Sequence, residues 1–475
     1  MALVEPVDLV PARELGPVHF IAIGGSGMNG IASMMVQLGV PVSGSDRSDS
    51  AYLRSLAAAG ARVHVGHRAE QLGDAQTVVA SSAIREDNPE LAEARRRGLR
   101  VLHRSAALGS LVLGHRGVAV AGTHGKTTTT AMLAHVLTGC GLDPSFVIGG
   151  ALTGTKTGGH LGGGDVMVVE ADESDGSFLQ YPAEVAVVTN VDPDHLSNWG
   201  TAERYADGFL RFATAPTVRL LVVSADDAGA VELTRRMRAS TGPQPVVVTF
   251  GEAAGADVRI SGTDFAGTGS TCTLTTADGG GPVQLGVPGH YNVLNAAATY
   301  AVATRLGADE TEVRRQLSSY AGTNRRFQLV GTVGGVRVFD DYAHHPTEVR
   351  NTLVAARTGV GEGRVVVCFQ PHLYTRTRDF WAELAAALEL ADEAVVMDVC
   401  GDREDPIDGV DGALVARAVG SGTHVTYQPD WDAAAPTVAR LARPGDLVIT
   451  VGCGDVTQVA PKIVAELARS TGGAA

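Results

Sequence analysis

The sequence predicts an α/β protein of three consecutive domains: an N-terminal Rossmann-like domain, a central P-loop ATPase-like α/β domain and a C-terminal Rossmann-like domain. Three observations carry this. Short apolar runs of strand length alternate with helical stretches along the whole chain, the pattern of parallel sheets. Glycine-rich turns follow two of those runs directly, where a βαβ unit presents its ligand crevice. The 475 residues also exceed what one core organises, at ~150 residues per domain. The boundaries fall at 1–114, 115–323 and 324–475.

In the first segment, Val18 to Ile23 reads as a strand, followed by Gly24-Gly25-Ser26-Gly27-Met28-Asn29-Gly30 and a helix from Ile31 to Leu38. Further strands lie around Val40 to Val42, Val78 to Ala80 and Val101-Leu102. The second segment opens with the strand Val118 to Ala121. It turns through Gly122-Thr123-His124-Gly125-Lys126-Thr127-Thr128 into a helix over Thr129 to Leu137. Val166 to Val169 and Val185 to Val188 are buried strands, and Leu220 to Val223 and Val246 to Val248 continue the alternation. The Gly/Thr/Asp-rich stretch from Gly251 to Gly289 predicts an antiparallel ribbon appended to the central sheet. An Ala-rich helix follows over Asn292 to Leu306. In the third segment the strands are Val336 to Phe339, Arg364 to Phe369, Ala394 to Met397 and Leu447 to Val451, with a helix over Asp379 to Leu390.

Composition excludes several classes. Hydrophobic residues at 44% and charged residues at 19% describe a chain that folds around cores. A net charge of −14 argues against general nucleic-acid binding, which needs basic surface to displace phosphate counterions. The cysteines, Cys140, Cys272, Cys368, Cys400 and Cys453, are odd in number and scattered. That fits a reduced compartment without structural zinc. Met1 to Gly16 is acidic and broken by prolines, unlike a signal peptide. No apolar run approaches the ~18 residues of a membrane helix. The expectation is a cytoplasmic protein with no membrane insertion. Lysine occurs only at Lys126, Lys156 and Lys462, so each carries information.

Lys126 stands in the strongest motif. A strand-to-helix turn of small residues lets backbone N–H groups face phosphate oxygens at the positive end of a helix. Lys126 would reach the β- and γ-phosphates of a nucleotide and the Thr127 hydroxyl would ligate Mg²⁺. Val120 stands where the full phosphate-loop pattern has its first glycine, so this is a compact variant. Downstream, Glu170-Ala171-Asp172-Glu173-Ser174-Asp175 and Asp192-Pro193-Asp194-His195 follow neighbouring strands and offer oxygen ligands for the metal. Gly25-x-Gly27-x-x-Gly30 with Asp46 fits a dinucleotide fingerprint equally open to NAD and to a UDP-sugar. Asp340-Asp341-Tyr342-Ala343-His344-His345 and His372-Leu373-Tyr374-Thr375-Arg376 follow two strands of the third segment. His and Arg there can clamp a carboxylate or phosphate.

Taken in order, these motifs resemble those of the Mur ligases. Gly289-His290-Tyr291-Asn292-x-x-Asn295 and Arg325-Arg326-Phe327 extend the resemblance over the whole chain. The resemblance implies a ligase dependent on ATP and Mg²⁺ that couples UDP-N-acetylmuramate to L-alanine through an acyl phosphate, in peptidoglycan synthesis, as a monomer or homodimer. A murein peptide ligase and, in another class, an NAD-dependent oxidoreductase are the alternatives. It further implies that Gly122, Thr123, His124, Gly125, Lys126, Thr127, Thr128, Asn292, Asn295, Arg326 and Asp341 bind ATP. Thr127, Glu170 and His195 would hold metal. Gly24, Gly25, Ser26, Gly27, Met28, Asp46 and Ser82 would cradle the UDP-sugar. Tyr342, His344, His345 and Arg376 would receive the amino acid, with Lys126, His195, Arg326, His344 and His345 acting in catalysis. Closure of the third domain would complete the ATP site. The chain departs from the family pattern at Leu373, where an Arg is frequent, at Cys400, commonly Tyr, and at Thr155-Lys156-Thr157-Gly158, usually an Asn-Ala stretch. Lys156 is a candidate only for an oxyanion contact.

Overall fold

The computed structural model describes residues 3–149, 158–402 and 404–472. Its strands form three sheets. The first contains β1 (Val18–Ile21), β2 (Val42–Asp46), β3 (Arg62–Val65), β4 (Thr77–Ala80) and β5 (Arg100–His103), in the order β3-β2-β1-β4-β5. All its pairs are parallel. Around it run α1 (Ser26–Gln37), α2 (Ala51–Ala58), α3 (Pro89–Arg96) and α4 (Arg104–Val112). The strand order reverses at β1, which puts the turn from Ala22 to Gly25 at the crevice of a doubly wound sheet. Strand β3 has no counterpart in the sequence reading. Its Arg-Val-His-Val run is half exposed, so it lacks the apolar signature that marks the central strands.

The second sheet is built on β6 (Arg116–Ala121), β7 (Ser145–Val147), β8 (Gly159–His160), β9 (Val166–Glu170), β10 (Val185–Val188), β11 (Leu220–Ser224) and β12 (Val246–Gly251), with β13 (Val258–Ala266), β14 (Gly269–Thr275) and β15 (Gly280–Leu285) at one edge. Its helices are α5 (Lys126–Gly139), α6 (Leu196–Trp199), α7 (Ala202–Ala213), α8 (Ala228–Ala239), α9 (His290–Arg305) and α10 (Glu310–Ser318). β6 lies between β10 and β9, parallel to both, and the loop into α5 leaves its C-terminal end. The ribbon is present, but it joins the sheet in parallel: Phe250 on β12 pairs with Val258 on β13. The turn from Glu252 to Asp257 sets the first residues of β13 beside the last of β12, which composition does not reveal.

The third sheet holds β16 (Gln328–Val333), β17 (Val336–Asp341), β18 (Val365–Phe369), β19 (Glu393–Val396), β20 (His424–Tyr427) and β21 (Leu447–Val451), in the order β16-β17-β21-β18-β19-β20. Only the β16–β17 hairpin is antiparallel among these pairs. Helices α11 (Pro346–Val360), α12 (Tyr374–Leu388), α13 (Gly412–Ala418), α14 (Trp431–Leu441) and α15 (Val459–Gly472) cover it.

The chain divides into two compact units: residues 1–262, 272–283 and 294–320, and residues 263–271, 284–293 and 321–475. In the first unit one continuous core runs from Phe20, Ile31 and Met35 to Val169, Phe178, Phe209 and Val223. In the second, Phe339, Leu353, Val367, Leu388 and Ile449 fill one face of the third sheet and Val338, Val366, Val448 and Ile463 the other. Fully burying a side chain of this size contributes roughly 1.5–3 kcal/mol. No helix among the described residues is long and apolar enough to cross a membrane.

Candidate functional site

The loop between β6 and α5 is shaped by two glycines. Gly122 has φ +140°, and a side chain there would run into Thr189 Oγ1. Gly125 has φ +84°, and a Cβ would sit 2.7 Å from Asn295 Oδ1. Neither position accepts an L side chain without strain. Asn295 Oδ1 also takes the Thr129 hydroxyl at 3.1 Å, so Asn295 braces the loop from behind. Thr123 Oγ1 lies 2.8 Å from both the Asp192 carbonyl and the Tyr205 hydroxyl. His124 Nε2 lies 3.3 Å from Asp192 Oδ2. Thr128, directly behind Thr127, is buried in the first turn of α5.

Lys126 begins α5 and turns back over its own loop. Its Nζ donates to the Gly122 carbonyl at 2.7 Å and the Thr123 carbonyl at 3.0 Å, and lies 2.8 Å from Glu173 Oε2. Burial works against the ammonium, but Glu173 and Asp172 outweigh it and raise its pKa above the ordinary value. Glu173 is 1% exposed. Burial, only partly countered by Lys126, pushes its carboxyl up to about 7. Its position is set by packing: Trp199 Nε1 donates to the Glu173 carbonyl at 2.9 Å. Trp199 itself sits in an aromatic cluster with Phe178, Tyr205 and Phe209.

The expected metal residues fall into two contacts. Thr127 Oγ1 donates to Glu170 Oε1 at 2.8 Å, and Glu170 Oε2 takes the Gly149 N–H at 2.8 Å. His195, held at φ +54°, places Nε2 at 3.8 Å from Glu173 Oε1 and 3.4 Å from Asp194 Oδ2. Within the acid cluster the resemblance singles out Glu170 for the metal, whereas Glu173 is the acid that meets Lys126. The signal was the run of four acids. Which acid turns toward Lys126 depends on the turn after β9.

On the first sheet, Gly24 N–H donates to Asp46 Oδ2 at 2.9 Å, so the expected pair is in contact. Gly25 caps α1, and Ser26 opens it. Met28 is buried. Gly27 faces Arg104, whose Nη1 is 2.7 Å from where its Cβ would be. Arg104 Nη2 in turn donates to Asp172 Oδ2 at 2.6 Å. Burial alone would raise Asp172, but Arg104 and Lys126 hold it far below the ordinary carboxylate range. Ser82 Oγ donates to Asp175 Oδ2 at 2.8 Å. Two loops of the kind that receive nucleotides therefore meet one acidic cluster within the first unit.

In the second unit, the Arg325 and Arg326 guanidinium groups lie 4.7 and 5.0 Å from the Tyr342 ring centre, a cation–π stack. Burial pushes the Tyr342 phenol up to about 12. His344 Nδ1 lies 3.2 Å from the Tyr342 carbonyl and 3.4 Å from Glu348 Oε2. Asp341, expected at the nucleotide, is buried and accepts from Phe327 N–H at 2.7 Å, Ala343 N–H at 2.8 Å and Thr352 Oγ1 at 3.2 Å. It organises the Arg326 turn. Asn292, expected at adenine, is buried and donates to the Pro288 carbonyl at 2.7 Å. His345 is buried and caps α11, its Nδ1 taking the Thr347 N–H at 3.4 Å. These contacts depend on burial, which spacing in sequence does not disclose. Arg376 is buried on α12. Leu373 caps that helix at φ +67° with its side chain buried, an uncommon conformation for a branched residue. Lys156 lies outside the described residues.

Family models match most of the chain: "Mur ligase family, catalytic domain" over 17–116, "Mur ligase middle domain" over 120–303 and "Mur ligase, glutamate ligase domain" over 325–454. The chain belongs to the Mur ligase family. It is 55% identical to the UDP-N-acetylmuramate–L-alanine ligase of Cutibacterium acnes over 98% of each chain. It is 51% identical to the enzyme of that name from Thermobifida fusca, over 98% of this chain and all of the other. The crystal structure of UDP-N-acetylmuramate-alanine ligase from Thermotoga maritima superposes with a TM-score of 0.80 at 29% identity, covering 96% of this chain and 99% of that one. A murein peptide ligase from Psychrobacter arcticus shares the fold, with a TM-score of 0.71 at 23% identity, over 95% and 99% of the two chains. This Mur ligase thus has the three-domain α/β architecture of the family.

Proposed function

We propose that this protein is an ATP-dependent ligase, acting in the cytoplasm, that joins the lactyl carboxylate of UDP-N-acetylmuramate to the amine of L-alanine for peptidoglycan synthesis. The observation that carries the reading is Lys126, a partly buried ammonium in a glycine-containing loop whose fully buried partner Glu173 belongs to the acid cluster that also receives Arg104 from beside Gly27. Residues 1–114 would hold the UDP-sugar, 115–323 ATP and 324–475 the amino acid.

A carboxylate is a poor electrophile. Its oxygen attacks the γ-phosphorus of ATP, the bond to the β-phosphate oxygen breaks, and ADP leaves behind an acyl phosphate. The alanine amine then attacks the acyl carbon, phosphate departs with the bonding pair, and the amine loses a proton. Such phosphoryl transfer depends on positioning and on neutralising charge. Lys126 supplies a cation at the phosphates, and the N–H groups at the start of α5 cradle them. Arg376 suits the amino-acid carboxylate because its planar fork pairs bidentately, while Tyr342 and His344 border the amine.

Mg²⁺ fits the donors present. Thr127, Glu170, Glu173 and His195 offer mostly oxygen ligands, and Glu173 Oε1 is buried without a hydrogen-bond partner. Thr127, Glu170 and His195, with Glu173 added, would hold the ion, which when bound neutralises phosphate charge. The decisive experiment is phosphate release by the full chain with ATP and UDP-N-acetylmuramate, scanning L-alanine, glycine, L-serine and a tripeptide. Turnover with L-alanine is expected. Turnover with the tripeptide alone would move the assignment to murein peptide ligation, and saturable NAD binding without UDP-sugar binding would move it to an oxidoreductase.

A further inference from the structure

Beneath α3, the first sheet carries a polar cluster where its neighbours are apolar. His19 on β1, Ser45 on β2 and Glu90 on α3 are each fully buried, while Ile21, Val78, Leu91 and Ala94 pack as a small apolar core beside them. Glu90 Oε2 accepts from Ser45 Oγ at 2.6 Å and faces His67 Nδ1 at 3.0 Å. Its other oxygen lies 3.4 Å from His19 Nε2, and His19 Nδ1 lies 2.9 Å from Ser43 Oγ. His67 Nδ1 also reaches Ser45 Oγ at 2.8 Å. Burial alone would push the Glu90 carboxyl up, but His19, Ser45 and His67 together hold it below its ordinary value. Around it stand His64, Arg62 and Arg68, charged or titratable groups that share the same field.

An ionised carboxylate inside a domain costs stability relative to a well-packed apolar residue. It therefore calls for another explanation, and the geometry supplies one. Glu90 ties α3 to the C-terminal end of β2 and to the turn after β3. The next residue along β2 is Asp46, whose Oδ2 takes the Gly24 N–H at 2.9 Å. The Ser45 carbonyl takes the Ile23 N–H at 2.9 Å, and the Asp46 carbonyl the Gly66 N–H at 2.7 Å. The bonds that hold Ile23 and Gly24 to β2 thus both end on the Ser45-Asp46 pair, and Glu90 anchors that pair from the buried side.

We propose that Glu90 is a positioning residue for the UDP-sugar site, fixing Ser45 and His67 so that Asp46 holds the glycine turn in its receptive conformation. This rests on the reading of the first domain given above. The test uses the full chain. Calorimetry of wild type with UDP-N-acetylmuramate comes first, followed by phosphate-release kinetics and thermal melting of Glu90→Gln, which keeps the shape, and of Ser45→Ala, which removes one tether. Each variant should raise the KM for UDP-N-acetylmuramate about ten-fold, the equivalent of one hydrogen bond to a charged group. The KM values for ATP and L-alanine should stay within about two-fold, which a merely structural role would not separate from the first. A lowered melting point with all three KM values unchanged overturns the proposal, as does a parallel rise in all three. Wild-type binding with undiminished affinity in both variants overturns it too while leaving the domain assignment intact. Absence of wild-type binding overturns the domain assignment and the proposal together. Should Glu90→Gln fail to fold, Ser45→Ala alone decides between these outcomes.

Discussion

Lys126→Ala removes the cation facing Glu173, and the cost follows from where that carboxylate sits. It is 1% exposed and 2.8 Å from the ammonium. Removing one partner from a buried pair costs about 3–5 kcal/mol when the other charge is stranded. Glu173 has an escape, because burial already pushes its carboxyl up to about 7. Without Lys126 it takes a proton near neutral pH. The loss then falls toward the roughly 1–3 kcal/mol of an unsatisfied buried polar group. At about 2–4 °C per kcal/mol for a large domain, the variant should melt several degrees below wild type and release no phosphate. Adding Glu173→Gln removes the stranded acid, so the double variant should recover most of the melting point while staying inactive. Melting of the full chain at pH 7, with phosphate release measured in parallel, is the assay. A loop-tip lysine with no buried partner would leave stability untouched. If Lys126→Ala melts with wild type, or the double variant melts below it, the pairing is refuted. Near-wild-type turnover would refute the phosphate role as well.

Gly125→Ala combines a left-handed φ of +84° with a Cβ 2.7 Å from Asn295 Oδ1; the strain of about 1–2 kcal/mol should weaken ATP affinity at least several-fold by calorimetry, and unchanged affinity would mean that the loop does not hold ATP. Arg376→Ala should raise the KM for L-alanine by roughly one to two decades, the loss of a charged hydrogen bond, with that for ATP within a few-fold; the reverse pattern would place Arg376 at the nucleotide. Asp341 has its carboxyl raised by burial to about 6, so the folded state binds its proton more tightly than the unfolded chain does. That contribution is fully present below the unfolded value of 3.8 and is lost as pH rises through 6. Melting of Asp341→Asn against wild type should therefore shift in the variant's favour by about 2–3 kcal/mol between pH 4 and pH 7, and a flat difference would show that the carboxyl is not raised.

The first sheet shows where sequence reasoning reaches and where it stops. β1, β4, β6, β9 and β10 are read directly because strands buried on both faces are largely apolar runs. The half-exposed edge strand β3 and the parallel junction of β12 with β13 have no such signature, since edge and pairing direction are set by what lies alongside. The same division holds at the site. Gly122 to Thr128, the acid cluster after β9 and the Arg326 and His344 turns are local motifs, and the chain itself determines that a glycine-containing strand-to-helix loop, a cluster of acids and a cationic turn exist. Only the tertiary structure decides which groups face each other. Glu173 rather than a neighbouring acid meets Lys126 because Trp199 and its aromatic cluster fix the backbone there. Asp341, Asn292 and His345 turn inward because burial makes unpaired backbone groups expensive and these side chains satisfy them. Glu90 and His19, far apart in the chain, become one network only because β1, β2 and α3 stack. Local chemistry is written in consecutive residues, whereas burial and facing geometry depend on distant chain segments brought into contact.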